Sequence, residues 1–162
     1  MGKITYLVGD ATKPQTEGNK IIAHICNDVG AWGAGFVLAL SRRWKKPEED
    51  YRRWYRGGRE LGFELGKTRF VRVEDDIWVA NMIAQRDIKP VGGIPPIRYE
   101  ALQLCLEEVA KKALELNASV HMPRIGCGLA GGTWDKVEPI IMDTLVKKGV
   151  PVFVYDLKGK SA

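Results

Sequence analysis

The stretch Ser119-Val120-His121-Met122-Pro123-Arg124-Ile125-Gly126-Cys127-Gly128-Leu129-Ala130-Gly131-Gly132-Thr133-Trp134 decides the fold class. Ser119–Met122 has strand character and runs into a glycine loop at Gly126–Gly132. The loop opens a helix expected over Thr133–Lys148, with Trp134, Val137, Ile141 and Leu145 on its inner stripe. Thr133 stands where an N-cap belongs. This order belongs to α/β sheets whose ligands sit at the carboxyl ends of the strands. Glycine lets the backbone close on a ligand, and a helix start offers unpaired N–H groups at the positive end of its dipole.

A second unit of the same kind lies upstream. Lys20–Cys26 (KIIAHIC) is a continuous apolar run, the mark of a strand buried on both faces. It enters Gly30-Ala31-Trp32-Gly33-Ala34-Gly35, after which Gly35–Trp44 has helical periodicity. Either loop alone is a weak anion-binding signal, since a tight turn or close packing explains its glycines equally well. Two such loops in one small sheet suit a diphosphate with a sugar on each side.

The remaining chain completes the pattern. Ile4–Val8 reads as a strand. A helix is expected from Pro47 to Gly57-Gly58, with Glu48, Glu49 and Asp50 at its positive end. Lys67–Val73 and Ile77–Ile83 form a strand pair, and Tyr99–Leu116 is the longest helix. Val152–Tyr155 is the last strand before a polar tail. The Gly/Pro content of residues 89–96 suggests a lid. The order β-β-α-α-β-β-α-β-α-β predicts mostly parallel strands with helices on both faces.

Composition bounds the rest. A chain of 162 residues, 45% hydrophobic and 28% charged, fits one domain over 1–162. No stretch approaches the roughly 18 apolar residues of a membrane span, and MGKITYLVGD lacks a signal peptide's apolar run. No membrane partner and a cytoplasmic location are expected. Cys26, Cys105 and Cys127 are odd in number and form no CxxC, so neither a disulfide framework, zinc nor any other metal is expected. The net charge of +5 comes from residues 40–72, where eleven Lys or Arg face five acids. Such a surface attracts polyanions, but interleaved acids favour a solvated helical face over a nucleic-acid site.

The second loop is also a literal GxGxxG at Gly126, Gly128 and Gly131, with Asp156 placed like a ribose-binding acid. A nicotinamide-dependent dinucleotide fold is the alternative this raises. In that fold the motif opens its domain, whereas here it stands late in the chain.

Leu7-Val8-Gly9-Asp10-Ala11-Thr12 resembles the opening of macrodomains. His24-Ile25-Cys26-Asn27 with Trp32-Gly33-Ala34-Gly35-Phe36 resembles their distal-ribose loop. Met122-Pro123-Arg124-Ile125-Gly126-Cys127-Gly128-Leu129 with Trp134 resembles their diphosphate loop and following helix, and Val154-Tyr155 resembles their closing strand. The similarity covers nearly the whole chain. It points to the groups that remove ADP-ribose from glutamate and aspartate and to the yeast ADP-ribose-1″-phosphate phosphatases. The resemblance implies a three-layer α/β/α sandwich with a mixed, mostly parallel sheet, acting on ADP-ribose or an ADP-ribosylated protein without a cofactor. A monomer is expected because the sequence shows no exposed apolar repeat. It further implies that Gly9, Asp10 and Ala11 meet the adenine beside Tyr155. Gly33, Ala34, Gly35 and Phe36 would wrap the distal ribose and a phosphate. Ile125, Gly126, Cys127, Gly128, Leu129, Ala130, Gly131 and Gly132 would cradle the diphosphate.

The chain departs from the glutamate-specific members at two positions. They use a lysine after the strand matching Trp78–Ile83 and an aspartate in the diphosphate loop; Gln85 and Ala130 stand here, with Lys89 only near by. Glutamine cannot attack an anomeric carbon or form an imine. Ester hydrolysis instead needs a positioned water and a stabilised oxyanion. Asn27 and Gln85 are the candidates to orient water and line the ribose, and Asp28 is the candidate base. His24 matches a histidine of the phosphatase-like group, although its apolar strand equally suits a core histidine. A non-catalytic ADP-ribose reader, or a phosphatase or deacetylase of free ADP-ribose derivatives, are the competing functions.

Overall fold

The computed structural model describes residues 2–158; the outermost ends of the expected 1–162 domain, including most of the polar tail, lie outside that range. Six strands are β1 (Ile4–Val8), β2 (Lys20–Asn27), β3 (Thr68–Glu74), β4 (Ile77–Gln85), β5 (Ser119–Met122) and β6 (Val152–Asp156). Four α-helices are α1 (Phe36–Arg43), α2 (Lys46–Gly57), α3 (Tyr99–Leu116) and α4 (Trp134–Thr144). One sheet holds all six strands in the order β1-β6-β5-β2-β4-β3. Every neighbouring pair is parallel except β3 with β4.

The central strand explains the layering. Along β2 the side chains alternate faces, as a period of two requires. Ile21 and Ala23 pack into the core shared with α3 and α4, while Ile22 and Cys26 pack with Val37 and Leu40 of α1 and with Tyr51 and Trp54 of α2. The result is the expected α/β/α sandwich with a mixed, mostly parallel sheet. Cys26 and Cys105 are buried free thiols, and Cys127 is half-buried and free. Among the described residues no helix is long and apolar enough to cross a membrane.

One expected element is shorter. The helix expected over Thr133–Lys148 stops at Thr144, and Val146–Lys148 tightens into a 3-10 turn that ends at Gly149. Gly149 has φ 82°, and the Val150 N–H returns to the Leu145 carbonyl at 3.1 Å. A left-handed glycine closing a tightened last turn is a common way to satisfy helix-end carbonyls.

Parallel order carries the ends of β1, β6, β5, β2 and β4 to one edge of the sheet. That edge has a step. Ile22 pairs with His121, so β5 stops at Met122 while β2 continues to Asn27 and β4 to Gln85. The chain leaving β5 fills this step with its glycine loop.

Candidate functional site

The two glycine loops face the same edge with their backbone donors unspent. Among the described residues, the N–H groups of Ile125, Gly126, Gly128, Leu129 and Ala130 have no acceptor in the protein. Those of Gly33, Ala34, Gly35, Phe36 and Val37 have none either. Neither α1 nor α4 has a side-chain cap at its N-terminus. Thr133 has the extended backbone of an N-cap, but its hydroxyl does not cap. Backbone donors at helix starts favour anions, by about 0.3–1 kcal/mol per charge from each helix dipole.

The second loop is pinched at its neck. Gly132 donates to the Gly126 carbonyl at 2.7 Å, and a Cβ on Gly132 would lie 2.6 Å from that oxygen. Glycine is therefore required there by close approach. Ala130 accepts from the Ile97 N–H at 3.0 Å, which pins the loop to the chain entering α3. Half-burial pushes the Cys127 thiol up, with nearby Arg124 opposing, so it stays a thiol in the loop.

At the opposite end of the edge, Gly9 extends from β1, and Asp10 turns on itself. The Asp10 Oδ1 accepts from the Thr12 N–H at 2.8 Å and the Thr12 hydroxyl at 2.7 Å. Its other oxygen has no partner among the described residues. Ala11 is buried beside it. Tyr155 is only 3% exposed, and its hydroxyl lies 3.0 Å from the Gln15 N–H and 2.8 Å from His121 Nδ1. It therefore forms a floor beneath the Gly9 turn rather than an open stacking face. Asp156 is engaged by Arg124, so it is not the lone ribose acid the GxGxxG reading called for.

The side chains expected to be catalytic separate into two groups. A register shift between Cys26 and Asn27 sets Asn27 opposite Gln85 at the distal end. The Asn27 Oδ1 accepts from the N–H groups of Val29 and Ala31 at 3.0 and 3.1 Å, and the Tyr51 hydroxyl is shared between this oxygen at 2.8 Å and the Asn27 carbonyl at 2.7 Å. Its Nδ2 donates to the Ala31 carbonyl at 2.5 Å. An amide so fully used shapes the first loop and cannot hold a water through its oxygen. His24 is 2% exposed, against Trp32 and Phe36, and its Nε2 meets Asn81 Oδ1 at 2.5 Å. Asn81 spends its amide on Pro47, which leaves its oxygen as acceptor and His24 protonated on Nε2. Burial lowers the His24 pKa to about 4 despite that bond. His24 is thus a neutral core residue outside the cleft, a correction to its catalytic assignment with burial as the cause.

Asp28 and Gln85 keep reactive atoms. Asp28 Oδ1 accepts from the Asp87 N–H at 2.7 Å, and Oδ2 has no partner among the described residues. Gln85 Nε2 donates to the Asp87 carbonyl at 2.9 Å, which leaves Oε1 as an acceptor. Both thereby hold Asp87 at φ 60°, a left-handed conformation that costs a non-glycine residue energy. Nothing in the sequence pattern marked Asp87, because its role consists of main-chain bonds. Lys89 is exposed on the following turn and has no ion pair among the described residues. Among the described residues no cluster of His, Cys, Asp or Glu is placed to hold a metal.

No family model matches the chain. A solved macrodomain protein from Streptomyces coelicolor is 55% identical, covering 95% of this chain and 99% of its own, with a TM-score of 0.86. The chain belongs to the macrodomain family. Among curated relatives, a chromodomain-helicase-DNA-binding protein 1-like of Danio rerio is 32% identical over 94% of this chain. The macrodomain spans only 15% of that relative's length. An ADP-ribose 1″-phosphate phosphatase of Lodderomyces elongisporus is 26% identical over 94% of this chain and 99% of its own. A Homo sapiens ADP-ribose glycohydrolase is 27% identical over 96% of this macrodomain and 92% of its own length. This macrodomain is therefore related to proteins named for hydrolysis of ADP-ribose compounds.

Proposed function

We propose that this macrodomain binds ADP-ribose across its two loops and hydrolyses ADP-ribosyl esters, removing mono-ADP-ribose from glutamate or aspartate of proteins. The observation that carries the reading is the pair of unpaired N–H rows at one sheet edge. A diphosphate satisfies donors from both loops, the adenosine side reaches Asp10 and Ala11, and the distal ribose reaches Gly33–Phe36 beside Gln85. The relatives named as an ADP-ribose phosphatase and an ADP-ribose glycohydrolase support the same ligand and a hydrolytic outcome.

Chemistry without the family lysine falls to Asp28 and Gln85. A water held by Asp28 Oδ2 and Gln85 Oε1 gives its proton to Asp28 as its oxygen bonds to the ester carbon. First-loop N–H groups hold the oxyanion. The bond from the ester carbon to the C1″ oxygen breaks, and that oxygen takes the proton back. Asn27 acts indirectly, by fixing the loop.

A second reading has its own support. Asn27, Asp28 and Gln85 each spend polar atoms on loop structure, which suits a reader that holds ADP-ribose without turnover. Release of labelled ADP-ribose from a protein modified on glutamate, with ADP-ribose affinity measured on the same preparation, separates the two. Binding with release supports the hydrolase. Binding without release supports the reader, or a hydrolase of another ester, with ADP-ribose 1″-phosphate as the next substrate. Absence of binding overturns both.

A further inference from the structure

Residues 86–97 form a small hairpin whose base lies between the two glycine-loop segments. The Val91 N–H meets the Ile94 carbonyl at 3.1 Å, and the Ile94 N–H meets the Val91 carbonyl at 3.0 Å. Gly92 and Gly93 turn between them at φ 59° and 77°, the left-handed pair of a tight hairpin turn. At the base, Arg86 N–H donates to the Pro96 carbonyl at 2.8 Å. The base is tied to both loops, through Asp28 to Asp87 on one side and Ile97 to Ala130 on the other. Pro95 packs so closely on the second loop that a Cβ on Gly131 would lie 2.7 Å from it.

The tip of this arch is apolar and open. Val91 is 62% and Ile94 58% exposed, Ile88 is exposed on the same hairpin, and Leu129 of the second loop is 73% exposed. Scattered exposed aliphatics need no explanation, but a group gathered at the rim of one site does. Arg86 and Lys89 are exposed on the same hairpin and have no ion pair among the described residues.

We infer that this hairpin docks the polypeptide carrying the ADP-ribosyl group, through aliphatic and acidic residues that flank the modified carboxylate. The inference rests on the proposed function, and it names the partner on the acyl side of that site. Three features favour a polypeptide. The hairpin springs directly from Gln85, at the distal-ribose end where the acyl group emerges. Its tip offers aliphatic side chains, which suit protein side chains, whereas single strands of nucleic acid are held by aromatic platforms. Lys89 complements an acidic flank, while Arg86 shares a cavity with Asp28 and Glu64 at the base of the hairpin. A free ADP-ribose derivative has nothing to place against Val91 and Ile94.

The test compares four ligands on wild type, Val91→Ser/Ile94→Ser and Lys89→Glu. The first is free ADP-ribose. The second is an acidic peptide with ADP-ribose on its glutamate through nitrogen in place of the ester oxygen, so that it cannot turn over by ester cleavage. The third is the same peptide with neutral flanks, and the fourth is an ADP-ribosylated oligonucleotide. Exposed positions leave folding intact, which thermal melting checks. The serine pair should weaken the peptide about tenfold, the effect of losing two partly buried aliphatic contacts, and leave free ADP-ribose unchanged. Lys89→Glu should weaken the acidic peptide and spare one with neutral flanks. Equal weakening of free ADP-ribose makes the hairpin a lid on the nucleotide and overturns the proposal. Unchanged peptide affinity overturns it as well. So does a wild-type dimer that the serine pair dissolves, or weakening confined to an ADP-ribosylated oligonucleotide. Failure of wild type to bind ADP-ribose sinks the functional reading itself, and that result appears before any variant is made.

Discussion

Arg124 and Asp156 are joined by two parallel charge-assisted hydrogen bonds, Nε to Oδ1 at 2.8 Å and Nη2 to Oδ2 at 3.0 Å. The guanidinium also lies 5.1 Å from the Tyr6 ring centre and 5.2 Å from that of Trp134. Its bond to Asp156 holds that carboxyl below the usual range. The Asp156 carbonyl in turn accepts from Gly9 at 2.8 Å. Asp156 therefore anchors both the Gly9–Asp10 turn and the start of the second glycine loop.

Replacing Arg124 by Met should accordingly affect binding more than stability. Both partners are a third exposed, so solvent screening limits the loss of stability to about 1 kcal/mol or less. ADP-ribose affinity should fall several-fold, because two parts of its site lose their common anchor. Urea unfolding and calorimetric titration report the two quantities separately. A variant with lower stability and unchanged affinity would reduce the pair to a surface brace.

Gly132→Ala should open the loop neck. The added methyl meets the Gly126 carbonyl, a backbone atom that cannot swing aside, and Ile97 Cδ1 at 2.9 Å. The 2.7 Å bond across the neck breaks, and the N–H row loses its arrangement. ADP-ribose binding should weaken by about tenfold or more, the worth of one or two charge-assisted hydrogen bonds. Circular dichroism should remain that of the folded protein. Undiminished binding would mean that the loop donors do not hold the diphosphate.

Asn27→Ala and Gln85→Ala should behave differently despite their pairing across β2 and β4. Removing the Asn27 amide strands the Val29 and Ala31 N–H groups, at a cost of about 1–3 kcal/mol, while the Tyr51 hydroxyl keeps the Asn27 carbonyl as its acceptor. Stability, affinity and turnover should all fall together. Gln85→Ala should spare binding and abolish turnover, since its free Oε1 is assigned to water. Equal turnover by Gln85→Ala and wild type would remove it from the chemistry.

Much of this arrangement was legible in the residues. Ser119–Met122 and Tyr99–Leu116 have the bounds that their patterns indicate, because apolar runs and 3.6-residue stripes are local signals. Both glycine loops stand where strand and helix signals meet. What was not legible depends on distant partners. The use of Asn27 requires Tyr51, the burial of His24 requires Trp32 and Phe36 above it, and the strained Asp87 is held by Asp28 and Gln85. No period or spacing encodes such contacts. The Gly/Pro content of residues 89–96 likewise marked a break without revealing a hairpin with an apolar tip.

The two histidines give the fold a pH dependence with a definite sign. Burial lowers His24 to about 4, and burial followed by the charge of Lys20 lowers His121 to about 4, both from an ordinary 6.5. His121 is locked between the Tyr155 hydroxyl at Nδ1 and the Ser119 hydroxyl at Nε2, the latter at 2.7 Å. Between pH 6.5 and 4 the unfolded chain binds these protons and the native protein does not. Stability is therefore complete above pH 6.5 and falls as pH drops toward 4, by about 1.4 kcal/mol per unit for each histidine in mid-window. Asp76 and Asp156, both pulled below their ordinary values by ion pairs, act only under about pH 4. Glu108, raised by burial, opposes the loss near the lower end of the window. Urea unfolding between pH 7.5 and 5 should show a steep decline beginning near 6.5. A flat profile across that range would mean that both histidines bind protons in the native protein.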